Sequence, residues 1–201
     1  MAERGRPRAF DRGTALRRAM ALFWARGYEG TSIGDLTHAM GIGKPSLYAA
    51  FGCKEALFRE AVQLYEAAEG VPVQRALDEA PTARAAIAAA LHANARAYGD
   101  PGKPPGCMVV LSSLVGSPDS DAVRRFLGTA RQAAQDALRR RIERGIAEGD
   151  VPPGADAARI AALYTTVLQG LSIQARDGAS VAELLAITDS AMAGWDALAE
   201  G

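Results

Sequence analysis

Hydrophobic residues recur every three to four positions along most of this chain, which is the period of an amphipathic α-helix. In the first such segment, Leu16, Met20 and Phe23 would form one buried stripe. Strand-like alternation is nearly absent, since the one β-branched cluster, Val109-Val110, lies inside a longer apolar run. We therefore predict an all-α fold of about nine helices.

Glycine, proline and capping residues mark where these helices begin and end. The predicted helices cover residues 11–26, 32–40, 44–52, 54–68, 82–98, 107–116, 118–148, 157–176 and 181–199. The run CMVVLSSLVG at 107–116 suits a strand by composition, but its helical surroundings favour a short central helix. A break at 69–72 separates the first four helices from the rest.

The stretch TSIGDLTHAMGIGKPSLYAAFGCK, residues 31–54, predicts two short helices joined by a tight turn. Ser32 precedes the first helix, and Asp35 follows three residues later, which is capping-box spacing. Gly41 suits the positive φ of the turn. Pro45 is tolerated at the start of the second helix, where its missing N–H would be unpaired anyway. This pattern is typical of helix-turn-helix units, whose second helix enters the DNA major groove.

The same stretch resembles the signature of TetR-type (TetR/AcrR-like) transcriptional regulators. The matching positions are Thr31, Ser32, Ile33, Leu36, Gly41, Ile42, Lys44, Ser46, Leu47, Tyr48, Phe51, Lys54, Glu55 and Leu57. The resemblance implies a helix-turn-helix DNA-binding domain over 9–69 (motif 32–51). It also implies a helical ligand-binding and dimerisation domain over 70–201. Residues 1–10, which are rich in arginine and have no apolar face, are predicted to form a basic flexible arm. Cys53 departs from the family, which more often has Asp, Asn or Ser at this capping position.

DNA contacts are expected from the second motif helix, from the start of the first and from the arm. Lys44 suits a phosphate or a guanine edge, whereas Pro45 can make only apolar contacts. The arm could follow phosphates or enter a minor groove, and it is equally consistent with a solvated terminus. The predicted DNA-binding residues are Thr31, Ser32, Lys44, Pro45, Ser46, Tyr48, Lys54, Arg4, Arg6 and Arg8.

Charge supports the same division of the chain. The formal net charge is zero, but residues 1–60 hold ten Lys and Arg against six Asp and Glu, and the remainder is acidic. A basic head on an acidic body suggests that the head binds a polyanion. Chance could also produce an imbalance of this size.

The helices after residue 55 are expected to enclose an effector pocket, and the final two helices to form a homodimer interface. The apolar pocket candidates, each also explicable as plain core, are Phe58, Val62, Tyr65, Leu91, His92, Leu111, Phe126 and Tyr164. The interface candidates, which could instead complete a monomer core, are Val167, Gly170, Leu171, Leu184, Thr188, Ala191, Met192 and Trp195. Together these features predict a dimeric repressor of a pseudo-palindromic double-stranded DNA operator, released by a small, largely apolar effector.

Other functional classes are less consistent with the sequence. A thiol switch at Cys53 or Cys107 is an alternative signal for the same DNA-binding output. The sequence contains no Gly-rich phosphate loop, metal-spaced His/Cys cluster or nucleophile–base motif, so we predict no enzyme activity, cofactor or metal site. No apolar run approaches the roughly 20 residues that cross a bilayer, which predicts a cytoplasmic protein without a membrane partner.

Overall fold

The computed structural model describes residues 10–114 and 116–200, and all regular elements within these ranges are helical. The helices are α1 (Arg12–Arg26), α2 (Ile33–Met40), α3 (Lys44–Phe51), α4 (Lys54–Glu69), α5 (Val71–Glu79), α6 (Ala83–Tyr98), α7 (Met108–Leu111), α8 (Asp121–Glu148), α9 (Ala157–Arg176), α10 (Val181–Ala193) and α11 (Trp195–Glu200). A 3₁₀ turn at Pro118–Ser120 leads into α8. The predicted all-α class is confirmed. In the ranges described, no helix is both long and apolar enough to span a bilayer.

Helices α1, α2 and α3 form a head whose boundaries follow local chemistry. The predicted capping box is present at the start of α2, where the Ser32 hydroxyl accepts from the Asp35 amide and the Asp35 carboxylate accepts from the Ser32 amide. Gly41 ends α2 in the left-handed region, with φ 69° and ψ 32°. The turn therefore places α3 across α2, and the inward side chains Leu36 and Leu47 are fully buried.

The remaining helices form a body with its own core, and α4 connects the body to the head. Tyr164 on α9 is fully buried and stacks on Trp195 of α11, with ring centroids 5.7 Å apart. On α4, Phe58 and Tyr65 join the core of the head. Helix α4 is therefore shared by both parts.

Trp24 on α1 joins the head to the body. This side chain lies off the apolar stripe of Leu16, Met20 and Phe23, yet it is only 5% exposed because the loop before α7 covers it. Its indole N–H donates to the Gly106 carbonyl at 2.8 Å, and its ring meets Tyr65 edge-on at 4.8 Å. Periodicity within α1 could not reveal this burial, since the covering residues lie about 80 positions further along the chain.

The break predicted at 69–72 is in fact a junction between two helices. Gly70 ends α4 and caps α5, and Pro72 occupies the first turn of α5, where proline is tolerated. Sequence reasoning missed α5 because it treated this proline as a stop signal. Helix α5 buries Leu77 against the body.

Two further boundaries differ from the prediction. Only Met108–Leu111 of the apolar run at 107–116 is helical, and burial rather than helix formation explains its composition. The last predicted helix is divided at Gly194 into α10 and α11. Helix α5 and the division at Gly194 raise the count from about nine predicted helices to the eleven α-helices of the described residues.

Candidate functional site: recognition helix and main cavity

Most of helix α3 is exposed, and its buried residues are Leu47 and Phe51. Lys44, Pro45, Ser46 and Tyr48 are exposed, and the Tyr48 side chain is 47% exposed. Leu47 points inward and is fully buried. The four predicted contact residues of α3 are therefore all open to solvent, and we call them together the recognition surface.

The two hydroxyl residues before α2 have different environments. Ser32 is exposed, although its hydroxyl already donates to the Asp35 carboxylate at 2.6 Å. Thr31 is fully buried, and its hydroxyl donates to the Gly27 carbonyl at 2.7 Å. The prediction that Thr31 contacts DNA is therefore wrong, because this side chain is buried and engaged within the chain. Thr31 instead holds the turn between α1 and α2.

Asp35 places a carboxylate at the N-terminus of α2. Hydrogen bonds from the Ser32 hydroxyl and amide lower the pKa of the Asp35 carboxyl, since they favour its ionised form. Arg26 lies 3.4 Å from this carboxylate and offsets its charge. The capping box therefore remains charged and intact at neutral pH.

Lys54, the first residue of α4, is partly buried against the segment between α1 and α2. Its ammonium stands 4.3 Å from the centre of the Tyr28 ring. Partial burial lowers the pKa of Lys54, opposed by attraction to Glu29 and Asp35. Arg4, Arg6 and Arg8 lie outside the described residues, so their DNA contacts stay predictions.

A cavity of about 390 Å³, which we call the main cavity, lies within the body between α4, α5, α6, α8 and α9. Ligand pockets typically measure about 300–1,000 Å³. The α8 wall includes four small side chains at helical spacing, namely Ala130, Ala133, Ala134 and Ala137. Larger residues here would fill the gap.

Of the eight predicted pocket residues, only Tyr65 lines the main cavity. The prediction is wrong for side chains packed in the core (Phe58, Val62, Leu91 and Tyr164) or packed partly buried against it (Leu111 and Phe126). It is also wrong for His92, whose Nε2 lies 2.7 Å from the Asp189 carboxylate on α10. Periodicity identifies inward-facing residues, but it does not show which of them border empty space. The alanine face of α8 was the sequence signal that could have located the cavity.

Polar groups converge on Cys107 in the wall of the main cavity. The phenols of Tyr65 and Tyr98 both lie beside its thiol, and burial raises the pKa of each phenol above its ordinary value. Both phenols therefore stay protonated and able to donate. The Arg131 guanidinium also lines the cavity, and it donates to the Val109 carbonyl at 3.0 Å.

Thr165 supplies a further polar group that the sequence did not indicate. It is 7% exposed, lines the main cavity and, within the described part of the chain, its hydroxyl has no hydrogen-bond partner. A buried hydroxyl without a partner is costly, so a bound molecule could satisfy it. The main cavity is therefore largely apolar with a few polar anchors.

The predicted dimer residues divide into two groups. The expectation is wrong for the five whose side chains are buried within the chain, namely Leu171, Leu184, Thr188, Met192 and Trp195. The outer sides of α9 and α10 instead expose Leu163, Ile173 and Ile187, with Val167, Gly170 and Ala191 partly buried beside them. The face available to a partner is therefore rotated from the predicted one.

Comparison with known proteins shows similarity over nearly the whole chain. Residues 15–61 match the family model described as bacterial regulatory proteins, tetR family. The chain is 35% identical to the HTH-type transcriptional repressor ComR of Escherichia coli (strain K12), covering 97% of this chain and 93% of that protein. It is 31% identical to the repressor BdcR of the same organism, over 94% of this chain and 90% of that protein.

Solved structures extend the comparison to three dimensions. A cysteine mutant of the TetR family transcriptional regulator CifR, complexed with 26-base-pair double-strand operator DNA, superposes with a TM-score of 0.92. The two chains are 48% identical, covering 95% of this chain and 100% of that one.

A capped helix-turn-helix with an exposed recognition surface, joined to a helical body, defines a DNA-binding transcriptional regulator. The matched proteins are regulators rather than enzymes. The chain belongs to the tetR family of bacterial regulatory proteins, which confirms the resemblance drawn from the sequence.

Proposed function

We propose that this protein represses transcription as a homodimer bound to a pseudo-palindromic operator, and that a small effector in the main cavity releases it. The recognition surface is the observation that carries this proposal, because it leaves Lys44, Ser46 and Tyr48 exposed on a short helix whose Leu47 and Phe51 are buried. The operator complex solved for the 48% identical CifR supports it.

Selection of genomic DNA fragments by the purified protein, at stated salt, tests this function directly. We expect recovery of one palindromic site with half-sites about one helical turn apart. Binding that is indifferent to sequence and abolished by moderate salt would contradict the proposal, since it would show only phosphate attraction.

The homodimer is proposed to form through the outer sides of α9 and α10. Leu163, Ile173 and Ile187 are 41%, 43% and 39% exposed, which is unusual for large apolar side chains on neighbouring helices. An added Cβ at Gly170 would meet nothing within 4 Å, so the backbone there is open to close approach. Pairing these helices with the same pair from a second chain would give a four-helix interface with twofold symmetry.

Ile173→Glu is expected to weaken dimerisation by at least about a hundredfold, because the partner chain would have to bury an unpaired carboxylate. Sedimentation velocity over a concentration series measures this directly. Val71→Glu is the matched control, since Val71 is 51% exposed but lies on α5. Dimers of unchanged affinity in Ile173→Glu would place the interface elsewhere.

Effector binding could reach the head through Trp24. The ring of Trp24 contacts Tyr65, which lines the main cavity, and its N–H bonds to Gly106, the neighbour of Cys107. A ligand that prefers a different position of Tyr65 or of this backbone would therefore shift α1. The extent of release is set by the effector's differential affinity for the two head positions.

A thiol switch at Cys107 is a second candidate for the signal. The observation favouring Cys107 is its position in the main cavity, next to the phenols of Tyr65 and Tyr98 and facing Arg131. Cys53 is exposed and caps α4, where its sulfur accepts from the Ala56 amide at 3.4 Å.

Iodoacetamide distinguishes the two cysteines. The thiolate displaces iodide, a C–S bond forms, and the thiol proton passes to buffer. Alkylation of Cys107 adds bulk to the main cavity, so we expect operator affinity to fall at least about tenfold. Cys107→Ser should resist the reagent, whereas Cys53→Ser should respond like the wild type. Electrophoretic mobility shift combined with intact mass measures both events, and protection by Cys53→Ser alone would contradict the assignment to Cys107.

A further inference from the structure

A smaller cavity of about 160 Å³ adjoins the main cavity. We call it the arginine recess, and its lining is Gln74, Leu77, Asp78, Ala137, Arg140, Arg141 and Arg144. The two cavities share Gln74, Leu77, Ala137 and Arg140. A single elongated molecule could therefore extend from one cavity into the other.

Arg141 is buried in the wall of this recess. Arg139, Arg140 and Arg141 form a basic run on α8, yet Arg141 is only 3% exposed because α5 and the turn after α8 cover it. Its Nη2 donates to the Ala80 carbonyl at 3.2 Å. Within the ranges the structure describes, its Nε and Nη1 have no hydrogen-bond partner.

Neighbouring carboxylates do not meet the hydrogen-bonding needs of Arg141. Glu148 and Asp150 each lie 3.9 Å from its guanidinium, which is beyond hydrogen-bond distance. Burial lowers the pKa of Arg141, yet an arginine stays protonated in proteins. A buried charged donor left unpaired is costly, so the site favours a molecule that brings an acceptor.

The lining of the recess favours an anion in particular. It holds three guanidinium groups and one carboxylate, that of Asp78, which already accepts from the Gln74 amide at 2.9 and 3.0 Å. Arg144 is partly engaged by Glu148 at 3.3 Å. Guanidinium groups match the oxygen pairs of carboxylate and phosphate in bidentate geometry.

We infer that the arginine recess binds the acidic end of an amphipathic effector, a carboxylate or a phosphate, while the apolar body of that effector lies in the main cavity. This inference rests on the proposed function and specifies the chemical class of its signal. The alanine face of α8 accommodates the apolar part, and Arg140 stands where the two cavities meet.

Calorimetric titration of the full-length protein with decanoate, decyl phosphate and decanol tests the inference. We expect the two acidic amphiphiles to bind at least about tenfold more tightly than decanol, which has a similar chain without the charge. Arg140→Gln and Arg144→Gln should each weaken the acidic amphiphiles at least about tenfold and leave decanol unchanged. The preferred headgroup distinguishes a carboxylate site from a phosphate site.

Arg139→Gln is the matched control. Arg139 stands next to Arg140 on α8, but it pairs with Asp136 and Glu143 and does not line the recess. Its removal should leave all three affinities unchanged. Circular dichroism melting of each variant verifies that the fold persists.

Several results would overturn the inference. One is decanol binding as tightly as the acids, and a second is Arg140→Gln and Arg144→Gln binding the acids like the wild type. A third is inorganic phosphate binding where decanoate and decyl phosphate do not. Release of the operator by a neutral effector, to the same extent in Arg140→Gln as in the wild type, would also overturn the inference about the arginine recess. The proposed function, repression regulated by an effector, would still stand. Failure of the unliganded protein to bind an operator would instead refute the proposed function. The calorimetric titration would still show whether the arginine recess binds an acidic group.

Discussion

Phe58→Ala is expected to lower the free energy of unfolding by about 3–5 kcal/mol, the usual cost of removing a fully buried phenylalanine. Phe58 is fully buried on α4 and packs edge-on against two rings of the head. Its centroid lies 5.0 Å from that of Phe23 and 5.1 Å from that of Tyr28. The substitution would leave a cavity between α4 and α1.

Urea unfolding followed by circular dichroism measures this loss, and Tyr48→Ala is the matched control. Tyr48 is also aromatic, but it is 47% exposed, so its removal should change stability by less than about 0.5 kcal/mol. A Phe58→Ala protein as stable as Tyr48→Ala would show that the junction between α4 and α1 is not tightly packed. The two variants therefore separate burial in the core from exposure on the recognition surface.

Features determined by neighbouring residues could be predicted from the sequence almost position by position. The Ser32–Asp35 capping box and the left-handed Gly41 both occur where they were expected, because each depends on residues within one helical turn. The exposed side of α3 followed from the same local spacing. The helix-turn-helix is a local structure, so the sequence located it well.

Features determined by contacts between distant segments could not be predicted in this way. Trp24 is buried by the loop at Gly106, and Arg141 is buried by α5 and the turn after α8. The main cavity is space that side chains leave unfilled between helices. The small side chains of the alanine face of α8 therefore locate it better than any large apolar residue does. Helical periodicity gives the inward direction of a side chain, but it does not give the neighbour that the side chain meets.

The outer sides of α9 and α10 illustrate the same limit. Both helices carry more apolar residues than one buried face requires, and that excess indicated a partner surface. The body then uses Leu184, Met192 and Trp195 for its own core, leaving Ile173 and Ile187 outside. Composition therefore indicated an additional apolar face on these helices, whereas only packing shows which apolar side chains stay exposed.

The double substitution Lys44→Ala, Tyr48→Ala is expected to weaken operator binding about a thousandfold at fixed salt. Each dimer would lose four contacts at roughly 1 kcal/mol each. Both side chains are exposed on α3, so stability should be nearly unchanged. The Tyr48 hydroxyl would form a neutral hydrogen bond to a phosphate, and the Lys44 ammonium would form an ionic contact. The loss of operator affinity in the double variant therefore has a neutral part and an ionic part.

Salt dependence separates these two parts. Lys44→Ala alone should flatten the slope of log affinity against log salt by about one unit per lost phosphate contact, whereas Tyr48→Ala should lower affinity without altering the slope. Lys103→Ala is the matched control, because Lys103 lies in the body and pairs with Glu69 at 2.8 Å. Fluorescence anisotropy with a labelled operator over a salt series measures all three variants. If Lys103→Ala flattened the slope as much as Lys44→Ala does, the protein would bind DNA through its body, and α3 would not be the recognition helix.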